Sequence, residues 1–223
     1  MSALEKNSQP LAHSMRPHDF DEFVGQKHIV GEGKLLRKLV ERDELSSLIF
    51  WGPPGVGKTS LAHIIAEHSK AQFVSLSAVE SGKRDLIKAV GEARGLLETK
   101  GVKTVLFIDE IHRWNKAQQD TLLPYVERGT VVLIGATTEN PSFEIIGPLL
   151  SRSRVFILKS LESEDIIELI NAVLKNKERG LGKFKIKIEE EVKDLLAELA
   201  GGDARTALNG LDLAVRGRKG NRK

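Results

Sequence analysis

The sequence predicts a five-stranded parallel α/β sheet followed by a small helical domain, on three observations. Short β-branched or aromatic runs alternate with longer helical stretches, several of the runs are apolar at every residue, and after Ser160 the strand signal fades into helical periodicity. A strand apolar on both sides suits a sheet covered by helices on both faces. Strand–helix alternation is the mark of parallel crossover units.

In chain order the expected strands are Leu48–Trp51, Phe73–Leu76, Val105–Ile108, Val131–Ile134 and Val155–Leu158. Beyond them Ile166, Leu169, Ile170, Val173 and Leu174 keep helical spacing behind Ser163, expected as the N-cap with Glu164 and Asp165 in the first turn. Val192, Leu195, Leu196 and Leu199 repeat that spacing until Gly201-Gly202, and Asp203 is expected to cap a last helix carrying Leu208, Leu211 and Val215. Between these helices Phe184, Ile186 and Ile188 alternate with lysines, as in a short strand or extended link. The expected division is 1–159 for the α/β domain and 160–223 for the helical one.

Composition excludes several classes. The 223 residues include no cysteine, which removes disulfide scaffolds and thiol chemistry. A net charge of +3 is too small to argue for nucleic acid by itself, and the basic tail (Arg216, Arg218, Lys219, Arg222, Lys223) reads first as a solvated end. No apolar run approaches the roughly 18 residues of a membrane span, and the polar first ten residues lack a signal core. A cytoplasmic protein is expected.

Gly52-Pro53-Pro54-Gly55-Val56-Gly57-Lys58-Thr59 matches the phosphate-loop pattern G-x-x-x-x-G-K-[ST], and Ser60 follows it. A buried strand leads in and an amphipathic helix with Leu61, Ile64 and Ile65 leads out, the context the chemistry needs. Backbone N–H groups of such a loop curl around phosphate oxygens at a helix N-terminus. Lys58 is expected to reach the β- and γ-phosphates, and the Thr59 hydroxyl to ligate Mg²⁺.

Val105–Ile108 runs into Asp109-Glu110, at the carboxyl strand end where open α/β sheets hold their ligands. Asp109 is expected to hold Mg²⁺ through water, and Glu110 to act as the base that polarises an attacking water. His112 lies nearby, but the six histidines show no ligand spacing and read as structural or solvent-facing. At the end of the fourth strand Thr138 is the first choice, and Asn140 the second, to orient that water or sense the γ-phosphate. Arg152 and Arg205 are candidates to place a guanidinium on the γ-phosphate.

These motifs, with Gly202-Asp203-Ala204-Arg205, resemble in order and spacing the AAA+ ATPases of the clamp-loader group. Arg16-Pro17, Val24–His28, the run Asp109–Lys116 with Gln118-Gln119-Asp120, and Gly135–Phe143 narrow the resemblance to the replication-associated recombination protein A family, relatives of the Werner-helicase-interacting ATPases. It implies a DNA-stimulated, Mg²⁺-dependent ATPase that acts at stalled forks and single-strand gaps and associates with single-strand-binding protein. It further implies Arg152 as an arginine finger serving a neighbouring subunit, Thr138 and Arg205 as first and second nucleotide sensors, and Met15–Ile29 as the segment around adenine. The family continues into a C-terminal oligomerisation region beyond this sequence, so weak assembly and weak hydrolysis are expected of the chain itself. The rival expectations are a nucleotide-gated scaffold with little hydrolysis and a phosphate-loop kinase.

Overall fold

The protein is described here by a computed structural model covering residues 9–184 and 186–220, with side chains as far as Val215. Strands β1 (Ser47–Trp51), β2 (Gln72–Ser77), β3 (Thr104–Asp109), β4 (Val132–Thr137) and β5 (Ser153–Ile157) form one parallel sheet in the order β2-β3-β4-β1-β5. The expected α/β class is borne out.

Helices α1 (Leu11–Ser14), α2 (Lys27–Val30) and α3 (Leu35–Glu41) precede the sheet, α4 (Lys58–His68) follows β1, and α5 (Lys83–Lys100) follows β2. Between β3 and β4 run α6 (Lys116–Asp120) and α7 (Leu123–Glu127), and between β4 and β5 run α8 (Pro141–Glu144) and α9 (Gly147–Leu150). Alternate strand residues feed two cores. Leu48, Phe50 and Phe107 meet α3 and α4 on one side, while Ile49, Leu106 and Ile108 meet α5 and Ile111 on the other. Each such fully buried side chain is worth about 1.5–3 kcal/mol, so the central strands are fixed and their carboxyl tips become a rigid platform.

Strand β4 lies further along the chain than its apolar run. Its last three residues, Gly135, Ala136 and Thr137, are small or polar and carry no apolar signal, yet all three are buried. A Cβ at Gly135 would lie 2.8 Å from Ile49 Cδ1 and 3.1 Å from Ile111 Cδ1, so the backbone must approach closely there. The shift makes Thr137 the tip residue, paired with Trp51.

The remaining helices, α10 (Ser163–Lys175), α11 (Glu190–Ala200) and α12 (Ala204–Gly220), pack around Ile166, Ile170, Val173, Ala197, Leu208 and Leu211. Leu11 of α1 joins them, so the N-terminal arm reaches over to the helical unit. Two expectations need correction. The cap of α10 is Glu162, whose N–H donates to Asp165 at 3.2 Å, and Ser163 is the first helical residue. On α11 the buried residues are Lys193, Ala197 and Ala200, while Val192, Leu195 and Leu199 are exposed. Small residues let α11 approach α10 and α12 closely, which turns the larger apolar side chains outward. Asp203 does cap α12, accepting from the N–H of Arg205 (2.7 Å) and Thr206 (3.1 Å). Phe184 sits in a 3₁₀ turn, Gly182–Phe184, and Ile186 and Ile188 pack partly against the helical core; no strand forms here among the described residues. Lys185 and the side chains of the basic tail lie outside the described residues.

Candidate active site

Strand β1 delivers the glycine-rich loop to the carboxyl edge of the sheet, and α4 begins at Lys58 behind a left-handed Gly57. The loop is anchored at its start, where the Gly52 N–H donates to the Thr137 carbonyl at 3.1 Å. The Lys58 ammonium folds back and donates to the carbonyls of Gly52 (2.7 Å) and Pro53 (2.8 Å). Burial lowers its pKa, and the carboxylates of Glu110 and Asp109 oppose that shift. Asp203 and Arg205 from the helical unit also act on it. Charges from the end of β3 and the start of α12 therefore converge at one ammonium.

Lys58, Asp109, Glu110 and Arg205 line one cleft of about 480 Å³, within the usual range for small-molecule sites. Met15 and Arg16 come from the N-terminal arm, Lys58, Thr59 and Ser60 from the loop, Asp109 and Glu110 from the tip of β3, and Arg205 from α12. The helical unit touches the loop directly. The Ala204 N–H donates to the Gly55 carbonyl at 3.1 Å, and a Cβ on Gly55 (φ +70°) would overlap the Asp203 carboxylate. Only glycine fits there.

Asp109 ends β3, and its carboxylate accepts from the Glu110 N–H at 3.2 Å. Glu110 itself is left-handed, φ 55° and ψ 41°, which costs a non-glycine residue roughly 1–2 kcal/mol. Strain of this kind gathers at functional sites, and here it turns the chain sharply just past the end of β3. His112, expected as structural or solvent-facing, lies with its Nε2 3.3 Å from Glu110 Oε2 and its Nδ1 3.0 Å from Thr137 Oγ1.

The sequence reading gave no role to His63 and placed Arg16 only within the segment expected around adenine. The Arg16 guanidinium lies 2.7 Å from His63 Nε2, and the His63 ring packs at a tilt of 30° against Phe73 with centroids 3.8 Å apart. Burial, then the adjacent Arg16 charge, pushes His63 down to about 4 from 6.5, so the ring is neutral and accepts. The Arg16 pKa is lowered by its own burial and by Arg205. Two guanidiniums thus face one cleft, which favours an anionic occupant. Because the unfolded chain binds a proton at His63 that the fold refuses, stability is expected to fall as pH drops from 6.5 toward 4. His63→Gln stays neutral and keeps an acceptor, so denaturant midpoints across that window should depend less on pH in the variant; an unchanged slope would contradict this.

The other expected residues lie apart. Thr138 follows the last residue of β4, half-buried, and does not line the cleft. The Asn140 side chain caps α8, accepting from Ser142 N–H at 3.0 Å. Arg152 sits at the amino end of β5, where it pairs with Glu127 at 2.7 Å and donates to the Pro148 carbonyl at 2.9 Å. Strand register puts Ser153 beside Ser47 and Ile157 beside Trp51, so Arg152 is roughly 20 Å from the chain's own loop, at about 3.3 Å per residue.

The family described as "ATPase family associated with various cellular activities (AAA)" matches residues 48–161, the stretch that carries the loop, both carboxylates and Arg152. The chain belongs to this AAA ATPase family. Among AAA relatives it is 49% identical, over 95% of its length and 47% of the relative's, to replication-associated recombination protein A of Haemophilus influenzae. Against the protein of the same name in Escherichia coli K12 it is 47% identical, over 92% of this chain and 46% of that one. ATPase WRNIP1 of Dictyostelium discoideum is 46% identical over 96% of this chain and 24% of its own. The resemblance to the replication-associated recombination proteins is borne out, and the chain spans about half the length of those two bacterial relatives. Among solved structures, the Thermotoga maritima RuvB Holliday junction branch migration motor superposes with TM-score 0.70 at 30% identity, over 87% of this chain and 63% of that one.

Proposed function

We propose that this chain is the nucleotide-hydrolysing part of a Mg²⁺-dependent ATPase that couples turnover to movement of the helical unit and to remodelling of DNA in replication and recombination. The observation that carries the reading is the shared cleft: Lys58, Thr59, Asp109 and Glu110 stand on the sheet, and Arg205 faces them from α12. The residues fit a nucleotide and Mg²⁺. Thr59 and Asp109 are oxygen donors of the kind Mg²⁺ takes, and no three His, Asp or Glu side chains gather as a ligand set among the described residues. That suits a metal completed by phosphate oxygens and water.

In this reading the loop N–H groups from Gly55 to Ser60 and the Lys58 ammonium bind the phosphates, which draws Lys58 off the loop carbonyls. Thr59 and Asp109 hold Mg²⁺, which when bound neutralises charge on the phosphates. Glu110 takes a proton from the attacking water. Arg205 senses nucleotide from α12, and the contact of Ala204 with Gly55 carries the loop's state into the helical unit. Arg152 cannot reach its own loop across roughly 20 Å of strand, so it serves a neighbouring copy. The partners on this reading are DNA, single-strand-binding protein and further copies of the chain, in the cytoplasm.

Turnover measured against protein concentration, with and without single-stranded DNA, tests the proposal. Specific activity should rise with concentration and with DNA, and DNA binding should weaken steeply with salt. A flat, near-zero line under all conditions would favour a nucleotide-gated scaffold instead.

A further inference from the structure

A polar chain links the phosphate loop to Glu110 through two residues that no step above uses. Gly52, the first loop residue, donates its N–H to the Thr137 carbonyl at 3.1 Å. The side chain of the same Thr137, fully buried, places Oγ1 3.0 Å from His112 Nδ1. The His112 ring, only 7% exposed, then sets Nε2 3.3 Å from Glu110 Oε2. From this we propose that His112 is a positioning residue for Glu110, holding its carboxylate in register with the phosphate loop by way of Thr137. The proposal rests on the assignment of Glu110 as base.

The neighbours of the ring favour one direction for the chain. Thr137 Oγ1 accepts from the Glu139 N–H at 3.0 Å, and its one proton has two acceptors in range, His112 Nδ1 at 3.0 Å and the Glu139 carbonyl at 3.2 Å. If it goes to Nδ1, a neutral ring carries its own proton on Nε2, facing the carboxylate. The opposite neutral tautomer would set a lone pair against Glu110, which is repulsive. The Nε2–H tautomer therefore gives each contact a favourable partner. It also explains why a buried histidine stands three residues past the strand tip, and why β4 ends in a buried threonine.

Glu110 needs such a restraint. Its backbone is left-handed and its side chain is 32% exposed, so packing alone leaves the carboxylate free to swing. A misplacement of about 1 Å at a reacting group can cost about 100-fold in rate. Through Thr137, the restraint refers to the same β4 tip that anchors Gly52.

Two readouts test the proposal on the chain as it stands. In long-range ¹⁵N–¹H spectra the His112 ring should be the Nε2–H tautomer, and Thr137→Val should weaken that preference; an Nδ1–H ring in the parent would overturn the proposal. In kinetics, His112→Ala should lower kcat about 10- to 100-fold with KM and ATP affinity within about two-fold. His112→Gln, which keeps a donor near the Nε2 position, should recover most of the loss. Thr137→Val should lower kcat in the parent and add little in His112→Ala. A His112→Ala protein that melts with the parent and turns over at the parent rate would remove His112 from this role and leave the site intact. A parent that binds no ATP would instead remove the reading of the site itself. Where turnover of the parent is too slow to compare, the tautomer decides.

Discussion

Glu110→Gln is expected to bind ATP as the parent does and to lose about 10²- to 10⁴-fold in turnover, the usual share of a general base. Gln preserves the length and the planar end of the side chain, so the left-handed turn at Glu110 and the fit beside His112 stay intact. What disappears is the basic oxygen. Asp109 is not a substitute, because one of its oxygens is held by the Glu110 N–H and its place at the end of β3 suits the metal. Binding measured by a fluorescent nucleotide and turnover by phosphate release should therefore part company in this variant. Parent-rate hydrolysis by Glu110→Gln would assign the base elsewhere.

Lys58→Ala should remove ATP binding rather than turnover alone. The ammonium is buried, and Asp109 and Glu110 both act on it. Without it the two carboxylates face the incoming phosphates with no counter-charge from α4, and the loop carbonyls of Gly52 and Pro53 lose their donor. Truncating one partner of a buried hydrogen-bonded charge set costs about 2–5 kcal/mol, so a loss of at least about 30-fold in affinity is expected by equilibrium titration. The fold should persist, since Lys58 belongs to neither strand core. An affinity within a few-fold of the parent would show that the loop does not grip phosphate.

The sheet and the loop could be read from sequence because their signals are local. An apolar run buried on both faces, or a glycine pattern between a strand and a helix, needs no knowledge of what lies across the fold. The tip of β4 was read short for the opposite reason: Gly135 and Ala136 are demanded by the close approach of Ile49 and Ile111, contacts from other elements. His112, Thr137 and Glu110 likewise meet only when β3 and β4 are set side by side, and Arg16 meets His63 only when the N-terminal arm crosses α4. On α11 the helical period was right but the buried face was not. Periodicity names a stripe of large apolar residues, whereas the tight packing of α10 and α12 selected alanines instead.

The most direct measurement is a calorimetric titration of this chain with ATP in the presence of Mg²⁺, repeated with AMP. One site per chain is predicted, with ATP bound far more tightly than AMP and with that preference lost in Lys58→Ala. No heat with ATP, or equal affinity for the two nucleotides, would contradict a cleft in which Lys58, Thr59 and Asp109 together hold a metal-bound triphosphate.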